Sequence, residues 1–203
     1  MAGRVTAIPA FVRSELETPG DIRPRPYANC YWLVPGRLLA GEHPGSIRPG
    51  ICVAKLDALL DSGVRRFIDL TGEREREPSY LPILLERAAL RAVVVRHQRF
   101  AIPDFGVPTI AVMRAALDAI YDAHAAGDLV YLHCWGGVGR TGTVVGCLLR
   151  EQGMTAAEAL TLISRKWLSM EKRPRYPSSP ETSEQIEFIE QWHGALIARS
   201  AHP

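Results

Sequence analysis

Apolar and polar positions fall into short segments whose period alternates between that of a strand and that of a helix. Tyr31-Trp32-Leu33-Val34 and Arg37-Leu38-Leu39-Ala40 flank Pro35-Gly36, a pair suited to a tight turn, and predict a hairpin. Val53 to Leu60 predicts a helix ending before Gly63, and Val64 to Leu70 a strand. A helix over Leu81–Leu90 and a second inner strand over Ala92-Val93-Val94-Val95-Arg96 follow. Ala101 to Pro108 reads as a loop from its proline and glycine content. Ile110, Met113, Leu117, Ile120 and Tyr121 then share one face of a helix that stops at Gly127. Leu129-Val130-Tyr131-Leu132 is wholly apolar, as a central strand covered on both faces requires.

Beyond a glycine-rich stretch, Thr141 to Glu151 predicts a buried helix ending at Gly153. Thr155 and Glu158 form a capping box for a helix reaching about Trp167. A last helix carries Ile186, Ile189, His193 and Leu196 as its apolar stripe. This alternation predicts an α/β fold, with a mostly parallel sheet of about five strands between helices. Residues 1–26 hold Pro9, Pro19, Pro24 and Pro26 with little periodicity. They predict an extended, partly mobile arm preceding one domain over 27–203.

Composition narrows the function classes. With 47% hydrophobic and 23% charged residues, the 203-residue chain has the balance of a soluble globular domain. A net charge of +2 gives no electrostatic footprint for nucleic acid, and no apolar run is long enough to predict a membrane span. Arginine outnumbers lysine 21 to 3, which fits anionic ligands and codon bias equally. Cys30, Cys52, Cys134 and Cys147 form no CxxC pair and no dense framework, so neither disulfide staples nor a structural zinc is expected. The first twenty residues lack a secretory pattern, which suggests a reducing cytoplasm, where a free thiol persists.

The candidate chemistry lies in His133-Cys134-Trp135-Gly136-Gly137-Val138-Gly139-Arg140-Thr141-Gly142, between the apolar strand and the buried helix. Glycines allow successive N–H groups to turn toward one centre and form an anion nest. The following helix adds its N-terminal dipole at the same point. Arg140 would clamp two phosphate oxygens, and this positive field favours a thiolate at Cys134 aimed at the bound phosphorus. Thr141 could donate its hydroxyl to that sulfur. A structural cysteine in a glycine turn would leave the three glycines and Arg140 unexplained.

His133-Cys134-(five residues)-Arg140-Thr141-Gly142 resembles the signature loop of the protein tyrosine phosphatase superfamily, nearer its dual-specificity branch. The resemblance runs from about Tyr31 to Trp192. It implies phosphomonoester hydrolysis through a phosphocysteine intermediate, with no metal or other cofactor. Trp135, Gly136, Gly137, Val138, Gly139 and Arg140 would bind the substrate phosphate, and His133 would support the loop. Asp104, thirty residues upstream in Ile102-Pro103-Asp104-Phe105-Gly106, resembles the family's general acid. It also suits a solvated loop or the start of the next helix; Asp69 is the alternative acid. Gln185 resembles the family's water-positioning glutamine and equally completes a capping box with Thr182.

The implied partner is a phosphorylated protein or a small phosphomonoester. The loop interior lacks the lysine that phosphoinositide phosphatases often carry, which favours phosphotyrosine or dual specificity over inositol phosphates. Arg99, Arg165, Lys166, Arg173 and Arg175 could ring the pocket, or be solvated. A phosphate-binding module without turnover is the non-enzyme alternative, though such proteins usually lose the Cys, the Arg or the acid.

Overall fold

The computed structural model describes Phe11 and residues 13–17, 23–73, 75 and 79–193. In chain order the elements are α1 (Arg13–Glu17), β1 (Cys30–Val34), β2 (Leu38–Gly41), α2 (Pro49–Asp61), β3 (Val64–Asp69), α3 (Leu81–Leu90) and β4 (Arg96–Arg99). They continue with α4 (Ile110–Ala125), β5 (Leu129–His133), α5 (Gly139–Glu151), α6 (Ala156–Trp167) and α7 (Ser183–Gln191). Five strands form one sheet in the order β1-β2-β5-β3-β4. β2, β5, β3 and β4 run parallel, and β1 closes one side antiparallel to β2. The hairpin forms as predicted: Gly36 takes φ 75° and Arg37 N–H donates to Val34 O at 3.0 Å, closing the turn.

Side chains alternate across the sheet with period two and build a core on each face. Tyr31, Leu33, Val130 and Leu132 pack with helices α4 to α7, whereas Trp32, Tyr131 and Phe67 pack with α2 and α3. The central position of β5 explains its unbroken apolar run.

Four expectations are corrected. The predicted inner strand at Ala92–Arg96 is instead an edge strand that begins at Arg96. Ala92 turns at φ 53° and Val93 N–H bonds back to Ala88 O, so the valines bridge from helix to sheet before pairing starts at Arg66↔Arg96. Val93 and Val95 lean on the core while Val94 is 81% exposed. In the last helix the buried positions are Gln185 and Ile189, followed by Trp192; His193 is exposed and lies beyond its end, and Leu196 falls outside the described residues. The N-terminal stretch expected to be an arm contains α1, with Phe11 and Leu16 buried in the α4–α7 core. Ile110, placed on the buried face of α4, is exposed.

What matters for function is where the parallel strands stop. Gly41 pairs with His133, His133 with Asp69, and Asp69 with Arg99. Four strands therefore end in one line, and the loops that follow them converge over a common edge. Among the described residues no helix is long and apolar enough to cross a membrane.

Candidate active site

Cys134 is the first residue beyond β5 and is buried, 2% exposed. Its Sγ accepts the Gly137 N–H at 3.2 Å, as a nest of inward N–H groups requires. The loop keeps this orientation because its carbonyls are bound on the outside. Cys134 O is held by His133 Nδ1 at 3.2 Å, Trp135 O by His43 N–H at 2.9 Å and Gly136 O by Lys172 Nζ at 2.8 Å. Val138 O takes the Ser179 hydroxyl at 2.7 Å and the Gly142 N–H at 3.1 Å. Gly137 has φ 73°, and a side chain there would collide with the Gly41 backbone; the glycine is required on both counts.

Arg140, in the first turn of α5, is 2% exposed and gripped by two acids. Glu75 takes it bidentately, at 2.6 Å and 2.7 Å, and Asp104 bonds the same guanidinium at 2.7 Å. Ile102 O accepts a further N–H at 3.2 Å. The Asp104 loop is thus brought to Arg140 from thirty-six residues away, with Asp104 itself 44% exposed.

Of the two sequence readings of Gln185, the structure shows the capping one. It completes the Thr182 capping box of α7. Fully buried, it also donates from Nε2 to Gly106 O of the Asp104 loop at 3.1 Å and lies against Gly139. Thr141 does not donate to Cys134; its hydroxyl is buried with no hydrogen-bond partner among the described residues. The Gly137 N–H does so instead.

His133 receives the Tyr80 hydroxyl on Nε2 at 2.8 Å, so Nδ1 carries the proton given to Cys134 O. Burial pushes this imidazole down to about 4, against the pull of nearby Asp69, and it is neutral at pH 7. Asp69, the alternative acid, is buried and bonded to Thr71 and Arg99. Burial alone would favour its protonated form, but His133, His97 and the Thr71 hydroxyl and N–H hold it well below the usual carboxylate range. Arg99 adds a 3.0 Å ion pair. Asp69 is a fixed anion that braces the ends of β3 and β4.

Sequence reasoning missed Glu75, Glu181, Tyr80, His43 and Lys172. Glu181 has its carboxyl pushed up by burial and by neighbouring Asp104, although Arg140 and the Gly139 N–H draw it down. No local pattern marks these residues; each acts across the fold. Of the basic residues considered as a pocket rim, Arg99 is committed to Asp69 and Lys166 is buried on α6, whereas the intervening Lys172 reaches the loop. No group of three or more His, Cys, Asp or Glu that could hold a metal occurs among the described residues.

The sequence profile described as "Swiss Army Knife protein, DSP-PTPase phosphatase domain" matches residues 27–189. Protein 067L of Invertebrate iridescent virus 3, named as a tyrosine phosphatase, is 27% identical over 167 residues, covering 72% of this chain and 60% of that protein. Dual specificity protein phosphatase CDC14B of Mus musculus is 35% identical over 65 residues, 32% of this chain and 13% of its own length. The chain thus spans less than two thirds of both relatives. The crystal structure of Tk-PTP in its active form superposes with a TM-score of 0.58 at 27% identity, over 78% of this chain and 92% of that one. The chain belongs to the DSP-PTPase phosphatase domain family, a dual-specificity-like branch of the cysteine-based protein tyrosine phosphatase superfamily.

Proposed function

We propose that this protein hydrolyses phosphomonoesters through a covalent phosphocysteine at Cys134, without a metal cofactor, and that its substrates are proteins phosphorylated on tyrosine, with phosphoserine and phosphothreonine accepted as well. One observation carries the reading. A buried cysteine with an inward N–H on its sulfur, an arginine at the same helix terminus and an aspartate from a distant loop meet at one place.

The geometry suggests how substrate engages. All four terminal N–H groups of Arg140 are spoken for, by Glu75, Ile102 O and Asp104. A phosphate dianion gains its place by displacing Asp104, the more exposed acid, while Glu75 keeps the guanidinium in plane. Released from Arg140, Asp104 in its acid form stands free to protonate the leaving oxygen as the Cys134 sulfur attacks phosphorus and the ester P–O bond breaks. Water then attacks the phosphorus, forming the new P–O bond as the S–P bond breaks. Asp104, now the carboxylate, accepts its proton, and phosphate leaves with the thiolate restored. Gln185 and Thr182, bonded to Gly106 O and Phe105 O, tie the acid loop to α7, from which Gln185 orients the water.

Exposed aromatic side chains support an aryl phosphate. Trp135, 41% exposed, directly follows the nucleophile, and Phe105, 62% exposed, directly follows the acid. The free cysteines suit a reducing compartment such as the cytoplasm.

The test is turnover of an aryl phosphate in chelator, with vanadate as inhibitor, in the wild type and in Cys134→Ser. Loss of activity in the variant is expected; wild-type activity there rejects the mechanism. A panel of phosphopeptides and inositol phosphates ranked by kcat/KM tests the substrate class, and turnover confined to inositol phosphates rejects the protein-phosphatase assignment.

A further inference from the structure

Lys172 lies in the loop after α6, thirty-six residues from the glycine it touches. Its ammonium donates to Gly136 O at 2.8 Å and to Glu42 Oε2 at 2.5 Å. Glu42 is held in turn by Lys55 at 2.5 Å, and the Lys172 backbone N–H bonds Asn29 Oδ1 at 3.2 Å. The side chain is 15% exposed, so this is a fixed contact at the base of the loop and not a solvated cation.

The carbonyl it grips belongs to the peptide whose N–H touches the nucleophile. In a trans peptide the C=O of Gly136 and the N–H of Gly137 point in opposite directions from one rigid plane. Lys172 holds one end, and the other end donates to Cys134 Sγ at 3.2 Å. Glycine stands on both sides of this plane, so no Cβ restricts its rotation. A half-turn would aim the Gly136 carbonyl at the sulfur and at any bound phosphate oxygen. The other outward donors to this loop are neutral: His133, the His43 backbone and Ser179. Lys172 alone among them brings a formal charge, to the one carbonyl whose neighbouring residues cannot fix it themselves.

We infer that Lys172 is a positioning residue. By binding Gly136 O it locks the Gly136–Gly137 peptide with its N–H toward Cys134, and so sets both the reactivity of the thiol and the anion affinity of the loop. The contact stands on geometry; its consequence for turnover rests on the phosphatase reading.

The full chain tests this with Lys172→Met, which removes donor and charge, and Lys172→Arg, which restores both. Three readouts apply: the Kd for inorganic phosphate by calorimetry, the rate of Cys134 alkylation by iodoacetamide at pH 7, and kcat and KM for an aryl phosphate. The expected result for Lys172→Met is about a tenfold weaker phosphate Kd and slower alkylation, because a donor to an anion is lost. The fall in kcat/KM should appear in kcat as well as KM. Lys172→Arg should stay within about threefold of wild type on all three. Wild-type phosphate affinity and alkylation in Lys172→Met overturn the inference, even if its thermal midpoint falls, since a merely structural lysine would give that pattern. Lys172→Gln replaces it if Lys172→Met does not fold, with the same expectations. A wild-type chain that is inert toward phosphomonoesters, yet loses alkylation rate on Lys172→Met, rejects the phosphatase reading and upholds the peptide lock.

Discussion

Asp69 and Asp104 are both carboxylates at the carboxyl edge of the sheet, and their surroundings give them opposite capacities. Asp69 is wholly buried, bonded to Thr71 and Arg99, and held as an anion. Asp104 is 44% exposed and bonds Arg140, the contact that substrate would displace in the proposed mechanism. Asp104→Asn should therefore lower kcat and remove the limb of the pH–rate profile that requires an acid, most severely with poor leaving groups. Asp69→Asn should leave that limb in place and cost about 3 kcal/mol of stability by unpairing Arg99. Glu75 is the complementary case. Glu75→Gln keeps the shape but not the charge, and kcat/KM should drop at least about tenfold, because the guanidinium loses its bidentate brace.

His133 gives a pH dependence of stability whose sign is fixed by its burial. The unfolded histidine takes a proton near its ordinary 6.5, whereas the folded one does so only at about 4. The unfolded state thus binds more protons between these values. The contribution is fully present above about pH 6.5 and is lost as pH falls through about 4. Unfolding free energies from urea titrations at pH 7 and 4.5 should differ by about 2 kcal/mol less in His133→Asn than in the wild type.

The elements were legible where one local rule governed them and were misread where tertiary position overrode it. The capping boxes at Thr155 and Thr182 use side chains three residues apart, and both form. The valines at 93–95 have strong β propensity, yet pairing depends on reaching β3, and the first residue to do so is Arg96. Proline-rich spacing hid α1 because its anchor is two residues, Phe11 and Leu16, and not a periodic stripe. Leu16 is fully buried, so Leu16→Ala should cost about 2–5 kcal/mol in denaturant unfolding. It lies among the α4–α7 core and not at the strand ends, and activity should stay within about threefold of wild type.

At the scale of the molecule, the aligned ends of Gly41, His133, Asp69 and Arg99 turn four unrelated loops into one site. The cysteine, the glycines and Arg140 could be read from the sequence because they lie within ten residues and answer to one physical demand, binding an anion above a thiol. Glu75 and Lys172 could not, since a lone acid or lysine in a polar loop carries no signal until the fold brings it to Arg140 or Gly136. The central claim is that the phosphoryl group passes through the sulfur of Cys134. Rapid acid quenching of the Asp104→Asn variant during turnover of an aryl phosphate, followed by peptide mass spectrometry, tests it directly. One phosphoryl group on the Cys134 peptide, absent in Cys134→Ser, is the predicted result; steady hydrolysis with that peptide never modified would contradict the account.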